Sequence, residues 1–313
     1  MSGELVTVFG GSGFIGRVLV QQLAKAGYRV RVAVRRANSA LDVKPLGDLG
    51  QVQLAQANVR NKASVEAAIS GADHVVNLVG VLFESGKQSF GKIHDEGAGL
   101  VAEVAAAANV KSLVHMSAIG ADAESDSKYA KSKAAGEKAV LTHFPNATII
   151  RPSVVFGADD NFFNKFAAMA KSFRMLPVIC GDTKFQPVFV GDVADAIVSI
   201  ISDETTAGKI YELGAPKAYS FRELLEIVNK VTEQNVPLIT IPVQMAYFQA
   251  FFLGMLPNPM VTIDQMRLLE KDNVVSDDAL KISDLGIEAT PPEAVIPNYL
   301  VLYRPMGQFK TVQ

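Results

Sequence analysis

Val6-Thr-Val-Phe-Gly-Gly-Ser-Gly-Phe-Ile-Gly16 is the stretch that decides the fold of this chain. The apolar run Leu5–Phe9 reads as a buried strand, and Phe14–Ala26 continues at helical spacing. A glycine turn therefore joins the carboxyl end of a strand to the start of a helix. Gly10 suits the tight turn, Gly13 lets a pyrophosphate approach the backbone, and Gly16 allows close packing of helix on strand. The open N–H groups and positive dipole end of such a helix hold phosphate oxygens, with Ser12, Phe14 and Ile15 completing the loop. A second strand, Arg29–Val34, follows at the distance a dinucleotide-binding unit requires.

Outward from this turn, strands and helices alternate. Strands are expected at Val52–Ala55, His74–Leu78, Ser112–Met116 and Thr148–Ile150, and helices at Lys62–Ile69, Gly91–Ala108 and Lys128–Thr142. Only the crossover Asn38–Gly50, with Pro45 and two glycines, predicts a short helix or none. Beyond Arg151-Pro152 the rhythm breaks. A helix over Asn161–Phe173, a strand at Gln186–Val190, a helix over Asp192–Ile201 capped by Asp192, and a strand at Lys209–Leu213 are expected. Ser220 and Glu223 form a capping box before a helix Phe221–Val231, and prolines cut the remainder into short pieces. The fold class read from this pattern is α/β, a Rossmann-type doubly wound parallel sheet with a smaller, mostly helical C-terminal lobe. Residues 1–157 make the dinucleotide-binding domain, to which 186–214 return, and 158–185 with 215–313 make the lobe.

Composition narrows the function classes. The 313 residues are 49% hydrophobic and 20% charged, as in a soluble globular protein of one large or two modest cores. A net charge of -2 gives no case for a nucleic-acid partner. Cys180 stands alone, which excludes an internal disulfide and fits a reducing compartment. His74, His94, His115 and His143 are dispersed and read as structural, so no metal site is expected. No leader is read ahead of the first strand and no apolar run is long enough to span a bilayer, so the chain reads as cytoplasmic.

Strand ends carry the chemistry. After the second strand, where NAD binders place an acidic residue, stand Arg35 and Arg36, whose guanidiniums suit a ribose 2′-phosphate and favour NADPH. Asn58 and Val59 follow the third strand, where a side-chain amide can meet adenine. Leu78, Val79 and Gly80 follow the fourth, where small and apolar residues let backbone pass near the second ribose. Tyr129 and Lys133 are four apart on one face of the helix after the fifth strand. A lysine there can hydrogen-bond the nicotinamide ribose and lower the tyrosine's pKa, making the phenol a general acid.

These motifs resemble the short-chain dehydrogenase/reductase superfamily, of the extended or atypical kind. The resemblance rests on Gly10-x-x-Gly13-x-x-Gly16, Tyr129-x-x-x-Lys133, Arg151-Pro-Ser-Val-Val-Phe-Gly157 and Val190-Gly-Asp-Val-Ala-Asp-Ala-Ile197, and covers essentially the whole chain. More narrowly, Phe156-Gly-Ala-Asp-Asp-Asn-Phe-Phe-Asn164, Gln186-Pro-Val-Phe-Val190 and Ser127-Lys-Tyr-Ala-Lys-Ser-Lys-Ala-Ala-Gly-Glu137 resemble the nucleotide-binding accessory subunit of respiratory complex I and its bacterial relatives. That resemblance implies structurally bound NADPH, in a subunit touching core subunits of the peripheral arm. It implies a peripheral place on the cytoplasmic side of the inner membrane, or the matrix side in a mitochondrion. Gly10, Gly13, Arg35 and Lys133 would be the main cofactor contacts, with Pro152 and Val154 beyond the sixth strand added to them.

The catalytic set is incomplete against the superfamily's pattern. Ser117 is the only hydroxyl at the fifth strand's end, Ala118 and Ile119 follow it, and the spacing to Tyr129 is short for an extended-type enzyme. A non-catalytic NADPH-holding subunit is therefore expected. The alternative is a free NADPH-dependent reductase or epimerase with Tyr129 as acid/base, Lys133 its activator and Ser117 the orienting donor. A third is a redox sensor that exchanges NADPH and NADP. Val243–Leu256, rich in methionine and aromatics and uncharged from Pro242 to Asp264, reads by default as core; its other reading is a docking segment for a membrane surface or an apolar partner.

Overall fold

The first strand, β1 (Leu5–Phe9), is buried along its whole length, and the hydroxyl of Thr7 at its centre donates to the Ala68 carbonyl at 2.9 Å. Burial on both faces explains why the strand appears in sequence as an apolar run in which Thr7 is the one polar residue. A computed structural model describes residues 3–254, 261–305 and 307. The chain divides into two compact units. The first comprises Met1–Pro152, Gly191–Leu213 and Asp277–Ile287; the second comprises Ser153–Val190, Gly214–Ser276 and Glu288 onward.

In the first unit, β1 is followed by α1 (Phe14–Lys25), β2 (Arg29–Val34), β3 (Val52–Gln56), α2 (Lys62–Ile69), β4 (His74–Asn77), α3 (Glu96–Ala107), β5 (Ser112–Met116), α4 (Lys128–His143) and β6 (Thr148–Pro152). The sheet runs β3-β2-β1-β4-β5-β6 and continues through Ile210–Leu213 and Leu280–Lys281, all neighbours parallel. The order reverses between β1 and β4, which is where an open α/β sheet leaves a crevice for a ligand beyond its carboxyl edge. Val65, Ile69, Val101, Ala105 and Val140 from α2, α3 and α4 close a core over Phe9, Val75, Leu113 and Ile149 of the sheet. Small residues bring α3 and α4 together: a Cβ on Gly99 would lie 3.2 Å from that of Ala139.

The crossover after β2 forms two short 3-10 turns, Ala37–Ser39 and Leu41–Leu46, in keeping with the short helix or none expected there. Elsewhere the structure departs from the sequence reading. The segment read as one helix over Gly91–Ala108 opens as a π-helical turn, Gly91–Asp95, before α3 begins. The helix expected to begin at Asp192 starts at Val190, which places Asp192 within its first turn rather than ahead of it.

The second unit packs Phe163–Phe173, Phe221–Thr232 and Pro292–Leu300 around an aromatic core of Phe156, Phe163, Phe185, Phe221 and Tyr299. The Ser220/Glu223 capping box is present in both directions. Asp160 accepts from the backbone of Phe162 and Asn164 and from the Tyr299 hydroxyl at 2.7 Å, a structural role for a buried carboxylate. Val243–Leu253 is helical; Met255 and Leu256 lie outside the described residues. Among the described residues no helix is long and apolar enough to cross a membrane.

Candidate nucleotide site

The glycine turn is built as its sequence requires. Gly10 has φ +81, and a Cβ there would lie 3.3 Å from the Leu78 backbone, so β4's strand end passes directly beneath it. A Cβ on Gly16 would fall 2.3 Å from the Gly10 carbonyl, so only glycine lets α1 start this close to β1. Gly13 occupies the N-cap position with no side-chain hydrogen bond, and no acidic residue stands in the first turn of α1. The first N–H groups are thus left to an anion from outside, the arrangement that suits a pyrophosphate. Arg17 braces the turn by donating to the Ser12 carbonyl at 3.1 Å and pairing with Asp42.

At the next strand ends, Arg35 and Arg36 are exposed. Arg35 donates from Nη1 to Gln88 Oε1 at 2.6 Å. Gln88 belongs to a tight turn, Ser85–Gln88, whose end residues exchange backbone hydrogen bonds at 3.0 Å. Arg60 donates to the Lys87 carbonyl of the same turn at 2.6 Å and to the Asn58 Oδ1. Arg35, Arg36 and Arg60 thus bring three guanidinium side chains to the loops that follow β2 and β3. The Asn58 amide oxygen, read as an adenine contact, is engaged by Arg60, and Val59 is buried under Gly97 of α3.

The other end of the edge is formed by β4, β5 and α4. Val79 donates its N–H to Asn77 Oδ1, and Val81 donates to His94 Nε2. Ser117 continues the β5–β6 pairing, its N–H donating to the Ile150 carbonyl at 2.7 Å, while Ile119 does the same to Pro152. The Ser117 hydroxyl is buried at 3% exposure without a hydrogen-bond partner, a polar atom that a ligand would satisfy. Together with the uncapped turn of α1, it shows that the residues present fit a dinucleotide laid along this edge.

Lys133 is 5% exposed; its ammonium donates to the Met116 carbonyl at 3.1 Å and lies 5.8 Å from the centre of the Tyr129 ring. Burial pulls the Lys133 ammonium down to about 8, opposed by the Glu137 carboxylate one turn on. Glu137 is itself held by a bidentate pair with Arg151 at 2.8 and 2.6 Å, and Arg151 also reaches Glu212 at 3.5 Å. That cluster ties α4, which carries Lys133, to β6. The Tyr129 phenol is pushed up to about 12 by burial, opposite to the lowered pKa expected from its lysine neighbour. Loss of hydration of the phenolate decides the sign.

Among the expected contacts, Gly10, Ser12, Gly13, Phe14, Ile15, Gly16, Leu78, Val79, Gly80, Ser117, Tyr129, Lys133 and Pro152 lie along one unit's carboxyl edge, as do Arg35, Arg36, Asn58 and Val59; Val154 belongs to the second unit. Sequence reasoning missed His94, Arg60 and the Ser85–Gln88 turn. Each depends on a tertiary contact, and the one local signal was the glycine at position 86 of that turn, with φ +55. Among the described residues no group of His, Cys, Asp or Glu is placed to hold a metal ion.

Comparison with known proteins agrees with this geometry. The sequence profile of the NAD dependent epimerase/dehydratase family matches residues 6–214. The chain belongs to that family. It is a family of nicotinamide-nucleotide folds, and the glycine turn and the Tyr129/Lys133 pair lie within the matched region. The chain is 37% identical to the NADH dehydrogenase [ubiquinone] 1 alpha subcomplex subunit 9 of Arabidopsis thaliana, over 98% of this chain and 80% of that protein. It is 33% identical to the subunit of the same name in Dictyostelium discoideum, over 98% and 87%. An NADPH-dependent quinone oxidoreductase from Escherichia coli, solved with NADPH, superposes with a TM-score of 0.76 at 19% identity, over 94% of this chain and 99% of that one. At that identity the likeness is one of fold.

Proposed function

We propose that this chain is an accessory subunit of a respiratory NADH:quinone oxidoreductase that holds NADPH without turning it over. What carries the reading is end-to-end similarity: proteins named as subunits of that complex match 98% of the chain at 33–37% identity. The site supports it. Gly10, Gly13 and the N-terminus of α1 would hold the pyrophosphate, Arg35 with Arg36 the 2′-phosphate, and Lys133 and Ser117 the nicotinamide end. A dihydronicotinamide is a hydride donor; here its part is to add binding free energy to the folded state. Tyr129 is poorly disposed as an acid/base, since its phenol is held near 12 and the Lys133 hydrogen bond goes to Met116.

The subunit would sit peripherally at the inner membrane, against core subunits of the peripheral arm, on the cytoplasmic side or its matrix equivalent. The bilayer contact would be the helix Val243–Leu253. Ala246 and Ala250 turn inward against Met266, whereas Met245, Phe248, Phe251 and Phe252 face outward. With no charge from Pro242 to Asp264, such a helix suits the headgroup boundary.

One observation favours a second reading, a free reductase or epimerase: the unpartnered Ser117 hydroxyl on the edge that also carries Lys133. The test is affinity purification from gently solubilised membranes, with co-purifying chains and bound nucleotide identified. Recovery of the oxidoreductase subunits in near-equal amounts, with NADPH, supports the accessory role; recovery alone from the soluble fraction overturns it. Cofactor choice has its own check. Arg35→Asp is expected to weaken NADPH binding by about tenfold or more and NADH binding far less, since a charge-assisted bond to the 2′-phosphate is lost. Equal losses would remove the NADPH assignment.

A further inference from the structure

His94 is 2% exposed and belongs to the π-helical turn between β4 and α3, a turn type often kept where geometry serves a site. Its hydrogen bonds have only one consistent direction. The Val81 N–H, 2.9 Å from Nε2, can only donate, so Nε2 must carry a lone pair. The ring proton is then on Nδ1, which donates to the Ser132 hydroxyl at 2.8 Å. Ser132 has a single proton and passes it to the Tyr129 carbonyl at 2.7 Å. A continuous chain results, from the Val81 N–H through His94 and Ser132 to the backbone of Tyr129. An imidazolium would have no lone pair for Val81, so the arrangement holds only with a neutral ring.

Packing locks the same ring. Phe90 stacks on it at 5.5 Å, and Tyr129 meets it edge-on at 5.5 Å. The His94 carbonyl presses on α4 so closely that a Cβ at Gly136 would lie 2.1 Å from it. A Cβ at Gly80 would be 3.5 Å from His94 Nε2 and 3.6 Å from Lys133 Nζ, so imidazole and ammonium flank one backbone position.

We propose that His94, as the neutral Nδ1–H tautomer, is the positioning residue for the nicotinamide end of the site, setting the β4 strand-end loop against the face of α4 that carries Tyr129 and Lys133. This rests on the reading that those elements hold the nicotinamide half of a bound nucleotide. His94 acts through Val81 and Ser132 and needs no contact with the ligand itself.

Calorimetric titration of the full chain with NADPH and with 2′,5′-ADP, the adenosine half alone, tests it. His94→Phe keeps the ring packing and removes both polar links. It is expected to lose about tenfold or more in NADPH affinity, while 2′,5′-ADP affinity changes by less than about twofold. His94→Gln, which can return an acceptor to the Val81 N–H, should recover part of the loss. In the wild type, nitrogen NMR should show Nδ1 protonated and Nε2 bare at neutral pH. Equal losses for both ligands, no loss for either, or the opposite tautomer would each overturn the proposal. Where His94→Phe fails to fold, Ser132→Ala interrupts the same chain and must show the same split between ligands. A wild-type protein that binds 2′,5′-ADP and NADPH equally well overturns the positioning role, whereas one that binds neither overturns the nucleotide reading beneath it.

Discussion

Burial holds the imidazoles of His94 and His115 at pKa values of about 3, with the Lys133 ammonium pressing both in the same direction. His115 is fixed by logic like that of His94. Val79 must donate to Asn77 Oδ1, so the Asn77 amide N–H faces His115 Nδ1 at 3.3 Å and that nitrogen is bare. In the unfolded chain both rings titrate near 6.5. Below that value the unfolded state binds protons that the folded state refuses, so the stability these rings contribute is present above pH 6.5 and is lost as the pH falls. From pH 7 to pH 5 each ring should subtract about 2 kcal/mol from the unfolding free energy, before most carboxylates titrate. His74, also pushed down by burial, adds to the same slope. Denaturant unfolding across that range measures it, and His115→Gln should remove one ring's share. A slope unchanged by that substitution would mean that His115 is charged in the folded protein.

The elements most legible in the sequence are those whose pattern is set by burial alone. β1, β2 and β5 have the limits the sequence predicts: β1 and β5 are buried along nearly their whole length, and in β2 Arg29 and Arg31 alternate with the buried Val30 and Val32. The glycine turn was equally plain, since a positive φ at Gly10 and a 2.3 Å approach at Gly16 leave glycine no substitute at those two positions. The π-helical turn at Gly91–Asp95 was not, because one inserted residue barely disturbs helical periodicity, yet it is what delivers His94 to Val81 and Ser132. Leu280–Lys281 escaped for a different reason. A two-residue strand at a sheet edge has no pattern of its own and is recruited by Ile210–Leu213. At the site, the pairing of Tyr129 with Lys133 was visible as a spacing, but the direction of the phenol's shift was not. Spacing fixes which side chains share a face, whereas the shift depends on how completely the rest of the fold excludes water.

At the scale of the whole molecule, two units present two different chemistries: a polar, cation-lined sheet edge in the first, and in the second a helix whose outward face is aromatic. Phe248 is 67% and Phe252 54% exposed, their rings 5.0 Å apart, with Phe251 5.4 Å from Phe252. Clustered apolar surface of this kind is costly in water and marks a contact. Each phenylalanine transferred from water contributes about 1.5–3 kcal/mol, so two together account for at least about a hundredfold in partition. Wild-type protein is therefore expected to float with phosphatidylcholine vesicles in a density gradient, and the double substitution Phe248→Asp with Phe252→Asp to stay behind. Both should titrate NADPH alike, because the nucleotide edge belongs to the other unit and the substitutions replace exposed side chains. Wild-type protein that ignores vesicles yet assembles with the oxidoreductase would assign this face to a protein subunit and overturn the bilayer contact. Equal flotation of wild type and variant would overturn it as well, by showing that lipid is met elsewhere on the chain.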